Sequence, residues 1–157
     1  MDAQLEWDVR GLLAEQHVGS LGTVHDGEPF VSMVPFAVLE DGDIVIHVSA
    51  LAAHTQHMAE NCQVSLLAIA QQTGSVPPQA LARLAIQGEA MRLVRAGPRH
   101  EEAQKAYLEC FPESAQMFTL GDFSLFTIHP TSVRFVGGFA RARTLTPETF
   151  ARIVARS

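Results

Sequence analysis

The stretch from Val18 to Ser49 carries two Asp-Gly steps, Asp26-Gly27 and Asp41-Gly42, each set between segments rich in Val, Ile, Phe and Thr. An Asp-Gly pair supplies the positive φ that a tight hairpin turn demands, and strands joined so closely run antiparallel. The spacing predicts three strands, Val18–His25, Pro29–Leu39 and Ile44–Ser49, as an antiparallel meander. Pro35 lies inside the second. It cannot donate to a ladder, so it marks an edge, a bulge or a place where a ligand meets the backbone.

The same punctuation organises the rest. Leu5, Val9, Leu12 and Leu13 recur at helical spacing over Ala3–Gln16, with Asp2 as a cap. A short helix is expected at His54–Asn61, a strand at Gln63–Ile69 and a loop at Gln71–Gln79. Ala82–Arg95 alternates as a long strand, with a bulge or bend expected at Gly88. Arg99–Cys110 reads as a helix, Ser124–His129 and Val133–Val136 as a hairpin around Pro130-Thr131-Ser132, and Thr146-Pro147 as the start of a last helix reaching Arg156. Roughly six antiparallel strands with helices at the ends and in the connections give an α+β fold, a closed or split β-barrel, in a single domain over residues 1–157.

Composition enters as an exclusion. With 47% hydrophobic residues in 157, the chain buries an ordinary core. A net charge of −6 argues against a nucleic-acid or anionic-membrane partner, which needs a basic face. No apolar run approaches the roughly 20 residues that cross a bilayer. The acidic start MDAQLEWD is not a signal peptide, and Cys62 and Cys110 read as free thiols, so a cytoplasmic location is expected.

The chemistry concentrates in VSALAAHTQHMAEN, Val48–Asn61. His54 and His57 are neighbours on one helix face, but a zinc site needs a third ligand that the spacing does not supply. Ser32, Ser49 and Ser124 lack a nucleophile elbow, and Gly137-Gly138-Phe139 follows a strand without opening a phosphate-binding helix. A helix starting directly after a strand exposes free N–H groups and a positive dipole end. The Ser49 and Thr55 hydroxyls and the His54 imidazole add donors there; the alternative is that Ser49 and Thr55 only cap the helix.

In order and spacing, LGTVHDGEPFVSMVPFAVLEDGDIVIHVS, LAAHTQHMAENCQVSLL and RLAIQGEAMRLV resemble the pyridoxamine 5′-phosphate oxidase-like, FMN-binding split barrels. The ending DFSLFTIHPTSVRFVGGFARA is similar to the branch containing haem-utilisation proteins, and the likeness spans about residues 5–145. It implies a homodimer with flavin sites between subunits and a small-molecule substrate. The backbone of Ser32, Met33, Val34 and Pro35 would run along the isoalloxazine, with Val48, Ser49, His54 and Thr55 at the phosphate. Arg83 would reach toward the cofactor, with Phe139 and Arg141 closing over it.

The departures are specific. The oxidases proper carry Arg-Lys where this chain has Ala53-His54, and an arginine where it has Val31 or Ser32. Losing two cations from a dianion site removes charge-assisted bonds, the strong kind, so pyridoxamine phosphate oxidation is not expected. His-Thr at this position is typical of the haem-utilisation branch, although the larger haem-degrading relatives carry an iron ligand on a C-terminal extension that has no counterpart before Ser157. Three readings stay open: an FMN-binding oxidoreductase, a haem-binding or haem-degrading protein, and a cofactor-free dimeric binding protein. No catalytic group or metal site is named, and an iron ligand from His54, His57 or His129 is left unassigned.

Overall fold

The computed structural model describes residues 2–138 and 141–155. Both Asp-Gly steps adopt the turn backbone, with φ of 50° at Asp26, 78° at Gly27 and 93° at Gly42. The first closes a hairpin between β1 (Val18–His25) and β2 (Glu28–Pro35), in register from His25 opposite Glu28 to Val18 opposite Pro35. The second joins β3 (Ala37–Val38) to β4 (Ile44–Ser49), with Gly42 N–H donating to Leu39 O.

The expected meander does not form across these two hairpins. The strand expected over Pro29–Leu39 breaks at Pro35-Phe36, where Phe36 N–H donates to His17 O and the Phe36 ring enters the core. With β5 (Gln63–Ile69), β6 (Arg83–Arg92) and β7 (Phe123–Val136), the sheet runs β2-β1-β5-β6-β7-β4-β3. Consecutive segments β2 and β3 therefore occupy opposite ends of this order. Their direct connection through Phe36 closes the sheet on itself, as a barrel requires. Pro35 sits at that corner, where a missing donor costs no ladder bond.

A second expectation is corrected in β7. No hairpin forms around Pro130-Thr131-Ser132; β7 is one strand of 14 residues. The register between β6 and β7 shifts at Gln87/Gly88, and Pro130 lies opposite Gly88 in that bulge, where the ladder is already interrupted. β8 (Ala142–Leu145), paired with β7, and a 3-10 segment at Pro112–Thr119 were not expected from the sequence.

Four helices flank the barrel: α1 (Ala3–Glu15), α2 (Ala53–Glu60), α3 (Pro98–Cys110) and α4 (Pro147–Ala155). Asp2 caps α1 by accepting from Gln4 and Leu5 N–H, and Thr146 Oγ1 accepts from Thr149 N–H at the head of α4. Leu21, Ile46, Leu66, Ile86 and Ile128 fill the barrel, with Phe36, Phe135 and Phe150 among the largest sealed side chains. Each such aliphatic side chain contributes about 1.5–3 kcal/mol of burial. The strict alternation of β5 puts Val64, Leu66 and Ala68 inside and turns Leu67 and Ile69 outward. Met33 and Val31 on β2 are 64% and 68% exposed, so this outer face is apolar rather than charged. Among the described residues no helix is long and apolar enough to cross a membrane.

Candidate functional site

β4 delivers the chain to α2 at one corner of the barrel. Ser49 Oγ accepts from Leu51 N–H at 3.1 Å and donates to Asp122 Oδ2 at 3.1 Å, so it shapes the turn before the helix. The residue at the helix cap is Ala52, with no side-chain cap bond. Thr55, 5% exposed, has a buried Oγ1 without a hydrogen-bond partner among the described residues. Simple capping by Ser49 and Thr55 is therefore not what these hydroxyls do.

His54 joins the helix to the hairpin: its Nδ1 lies 2.9 Å from Ser32 Oγ on β2. Burial, and then the neighbouring His57, lower its pKa from the ordinary 6.5, so the ring is neutral at physiological pH. With Nδ1–H donating to Ser32 Oγ, the Nε2 lone pair is free to ligate a metal. One turn on, His57 Nδ1 lies 2.9 Å from Thr23 Oγ1. The His57 ring stacks on His25 at 4.8 Å and meets Phe30 edge-on at 5.0 Å. His25 in turn lies 3.1 Å from Glu60 and 3.3 Å from Asp26.

Neutral imidazoles make good metal ligands but poor counterions for a phosphate dianion. The segments that frame this corner, EPFVSMVP in β2 and AHTQHMAE in α2, contain no lysine or arginine. Among the described residues, no three His, Cys, Asp or Glu side chains converge as a metal cage.

The other sequence-predicted residues divide into two groups. Ser32, His54 and Thr55 gather at the α2 corner, with Met33 on the adjoining outer face. The Val34 and Val48 side chains are buried in the core, and Pro35 sits at the barrel-closing bend. Arg83 is elsewhere. The ladder places Ser32 opposite Leu21, Leu21 opposite Leu66 and Leu66 opposite Ile86. Arg83 is thus three strands away and a further about 10 Å along the strand direction, and its guanidinium donates to Gln79 O and Leu81 O. Arg141 pairs with Asp8 of α1 at 3.2 Å. Phe139 lies outside the described residues.

Sequence reasoning singled out His57 but missed Thr23, His25 and Phe30 around it. A signal was available for part of this cluster, since a two-residue turn at Asp26-Gly27 forces Thr23 opposite Phe30. His129, considered for iron, has its Nδ1 2.9 Å from Asp43 Oδ1. Arg99 of α3 joins the same carboxylate, tying α3 to the β3–β4 turn.

The family described as pyridoxamine 5′-phosphate oxidase matches residues 5–137. The chain is 34% identical over 142 residues to a chloroplastic heme oxygenase, HOZ, of Arabidopsis thaliana, covering 86% of this chain and 41% of that protein. It is 29% identical over 144 residues to heme oxygenase HutZ of Vibrio cholerae, covering 90% of this chain and 81% of HutZ. Among solved structures, a heme-binding protein from Mycobacterium smegmatis superposes with a TM-score of 0.85 at 29% identity, over 96% of this chain and 61% of that one. The chain thus spans less than two thirds of the plant and mycobacterial proteins it matches. From fold, motif order and relatives together, the chain belongs to the pyridoxamine 5′-phosphate oxidase family of split barrels, in its haem-utilisation branch.

Proposed function

We propose that this protein binds haem rather than FMN, with His54 as the iron ligand. The observation that carries the reading is the α2 corner itself. His54 is held neutral and oriented through Nδ1 by Ser32, while β2 and α2 supply no cation for a flavin phosphate. The donor set therefore does not fit a phosphate dianion, whereas it fits a metal whose porphyrin lies on apolar surface. Phe30 on β2, 42% exposed and edge-on to His57, supplies that surface on the α2 face of the strand. The names of the relatives, heme oxygenase and heme-binding protein, support the same ligand.

In this reading Ser32 orients the imidazole, and Phe30 supplies hydrocarbon on the same face of β2. Bound haem supplies redox and dioxygen chemistry; the chain supplies placement and electrostatics. Haem degradation is the activity that the two heme oxygenases suggest for it. The reading also includes a homodimer. A second copy covers the outward Val31, Met33, Leu67 and Ile69. Light scattering on the purified chain is expected to give twice the 17.1 kDa of one protomer.

Parallel titration with haem and FMN is the test. A Soret band saturating at one haem per protomer, with no flavin retained at micromolar concentration, is expected. His54→Ala should weaken haem at least tenfold, about 1.4 kcal/mol, and change the ligand-sensitive bands. Stoichiometric FMN binding without a Soret band would overturn the reading and restore the flavoprotein one.

A further inference from the structure

A cleft of about 340 Å³ opens between α1, the edge strand β3 and the end of α4. Its walls are mostly hydrocarbon: Leu13 and Ala14 of α1, Phe36 and Val38 at the barrel corner, and Val154 of α4. The volume corresponds to about eleven water molecules at 30 Å³ each, at the small end of ligand sites.

Arg10 is also part of the wall. Its Nε donates to Ile153 O at 2.9 Å, but its Nη2 is buried with no acceptor among the described residues. A buried donor left unpaired is costly, and a cationic one more so. β3 adds a second polar element. Ala37 pairs with Val45 and Leu39 N–H donates to Asp43 O, so by the two-residue alternation Val38 directs its backbone groups away from β4. Phe36 N–H points to that same side, where it donates to His17 O.

The remaining polar residues narrow the ligand further. Glu40 is on the rim and exposed, so it repels a second anionic group at the mouth. Burial, and then Glu109, push the Cys110 thiol up, so it stays protonated and contributes no negative charge. A cationic side chain in the wall with one donor unpaired among the described residues, walls of hydrocarbon and one anionic rim residue select an amphipathic monoanion.

We propose that this cleft is a second ligand site, taking a small apolar monocarboxylate whose charge offsets that of the Arg10 guanidinium in the wall while its hydrocarbon packs on Leu13, Val38 and Val154. The site does not depend on the haem reading: it lies on other elements and uses none of the same residues.

Calorimetric titration with octanoate and with 1-octanol, the uncharged molecule of equal chain length, tests it on the intact chain. Octanoate should bind at least tenfold more tightly than octanol. Arg10→Met should abolish that preference while leaving octanol binding within twofold, and haem titration of the same variant should be unchanged. Leu13→Trp, which fills the cleft and keeps the arginine, should weaken both ligands at least tenfold; it also serves if Arg10→Met does not fold. Amide shifts on saturation should centre on Leu13 and Val38. Equal affinity of the wild type for the two molecules, no binding of either at millimolar concentration, or shifts confined to β2 and α2 would each overturn the proposal.

Discussion

Thr55→Val removes one oxygen from the α2 corner and little else. The side chain is 5% exposed and its hydroxyl has no partner among the described residues, so the native state carries the desolvation cost of a polar group without the bond that would offset it. That cost is about 1–3 kcal/mol. Valine has nearly the same shape, so no cavity opens, and the two residues rank together as helix formers. The variant should therefore be more stable by about 1 kcal/mol or more. In a 157-residue chain, 1 kcal/mol raises Tm by about 2–4 °C. Equilibrium urea unfolding reads the change as a higher midpoint at unchanged slope. A midpoint equal to or below the wild type's would show that the hydroxyl has an acceptor in solution, and the reasoning would fail. The same variant separates two roles for the oxygen: haem affinity falls if a ligand recruits it and is unchanged if it is simply stranded.

Two further substitutions probe the frame. A Cβ added at Gly88 would stand 2.5 Å from His129 O and 2.8 Å from Ile128 Cγ2, so Gly88→Ala should destabilise by roughly 1–3 kcal/mol; a urea midpoint within error of the wild type would remove the bulge's steric rationale. His47, stacked on Phe118 at 3.9 Å, has its pKa lowered to about 4, by burial first and then by His100 and Arg95. Because the folded value lies below the unfolded 6.5, the neutral ring's contribution is complete above pH 6.5 and is lost as pH falls toward 4. This amounts to as much as roughly 3 kcal/mol. His47→Leu should flatten that part of the stability–pH curve, and a variant that keeps the wild-type slope would assign the effect to other groups.

Most of the elements were legible because their signals are local. Turn residues set β1 and β2, period-2 alternation set β5 and β6, and the caps at Asp2 and Thr146 set α1 and α4. The errors came where a long-range pairing overrode a local signal. Pro130-Thr131-Ser132 has the composition of a turn, yet β7 passes through it, because β7 bulges at Thr131 opposite the Gln87–Gly88 step and so admits a proline into the ladder. The meander failed for the converse reason. Nothing near Pro35 indicates that β3 will pair at the far end of the sheet, a choice made by β4 and β7, more than 70 residues apart in the chain.

The candidate site repeats that division. His54 and Thr55 stood out because a strand ran into a helix there, but the partner of His54 comes from β2, and whether the imidazole is neutral depends on burial that only folding creates. The resemblance implies that the family's oxidases place cations at this corner, and the side chains here change its chemistry. An Arg-Lys pair would hold an anion by charge. A neutral histidine, positioned by a serine hydroxyl on the same strand face as exposed Phe30, instead offers a lone pair next to hydrocarbon. Restoring the charge gives a direct test: Ala53→Arg with His54→Lys should gain FMN affinity and lose the Soret band. If the double variant still prefers haem, the ligand choice does not reside in this corner, and His54 is a structural residue of the β2–α2 junction.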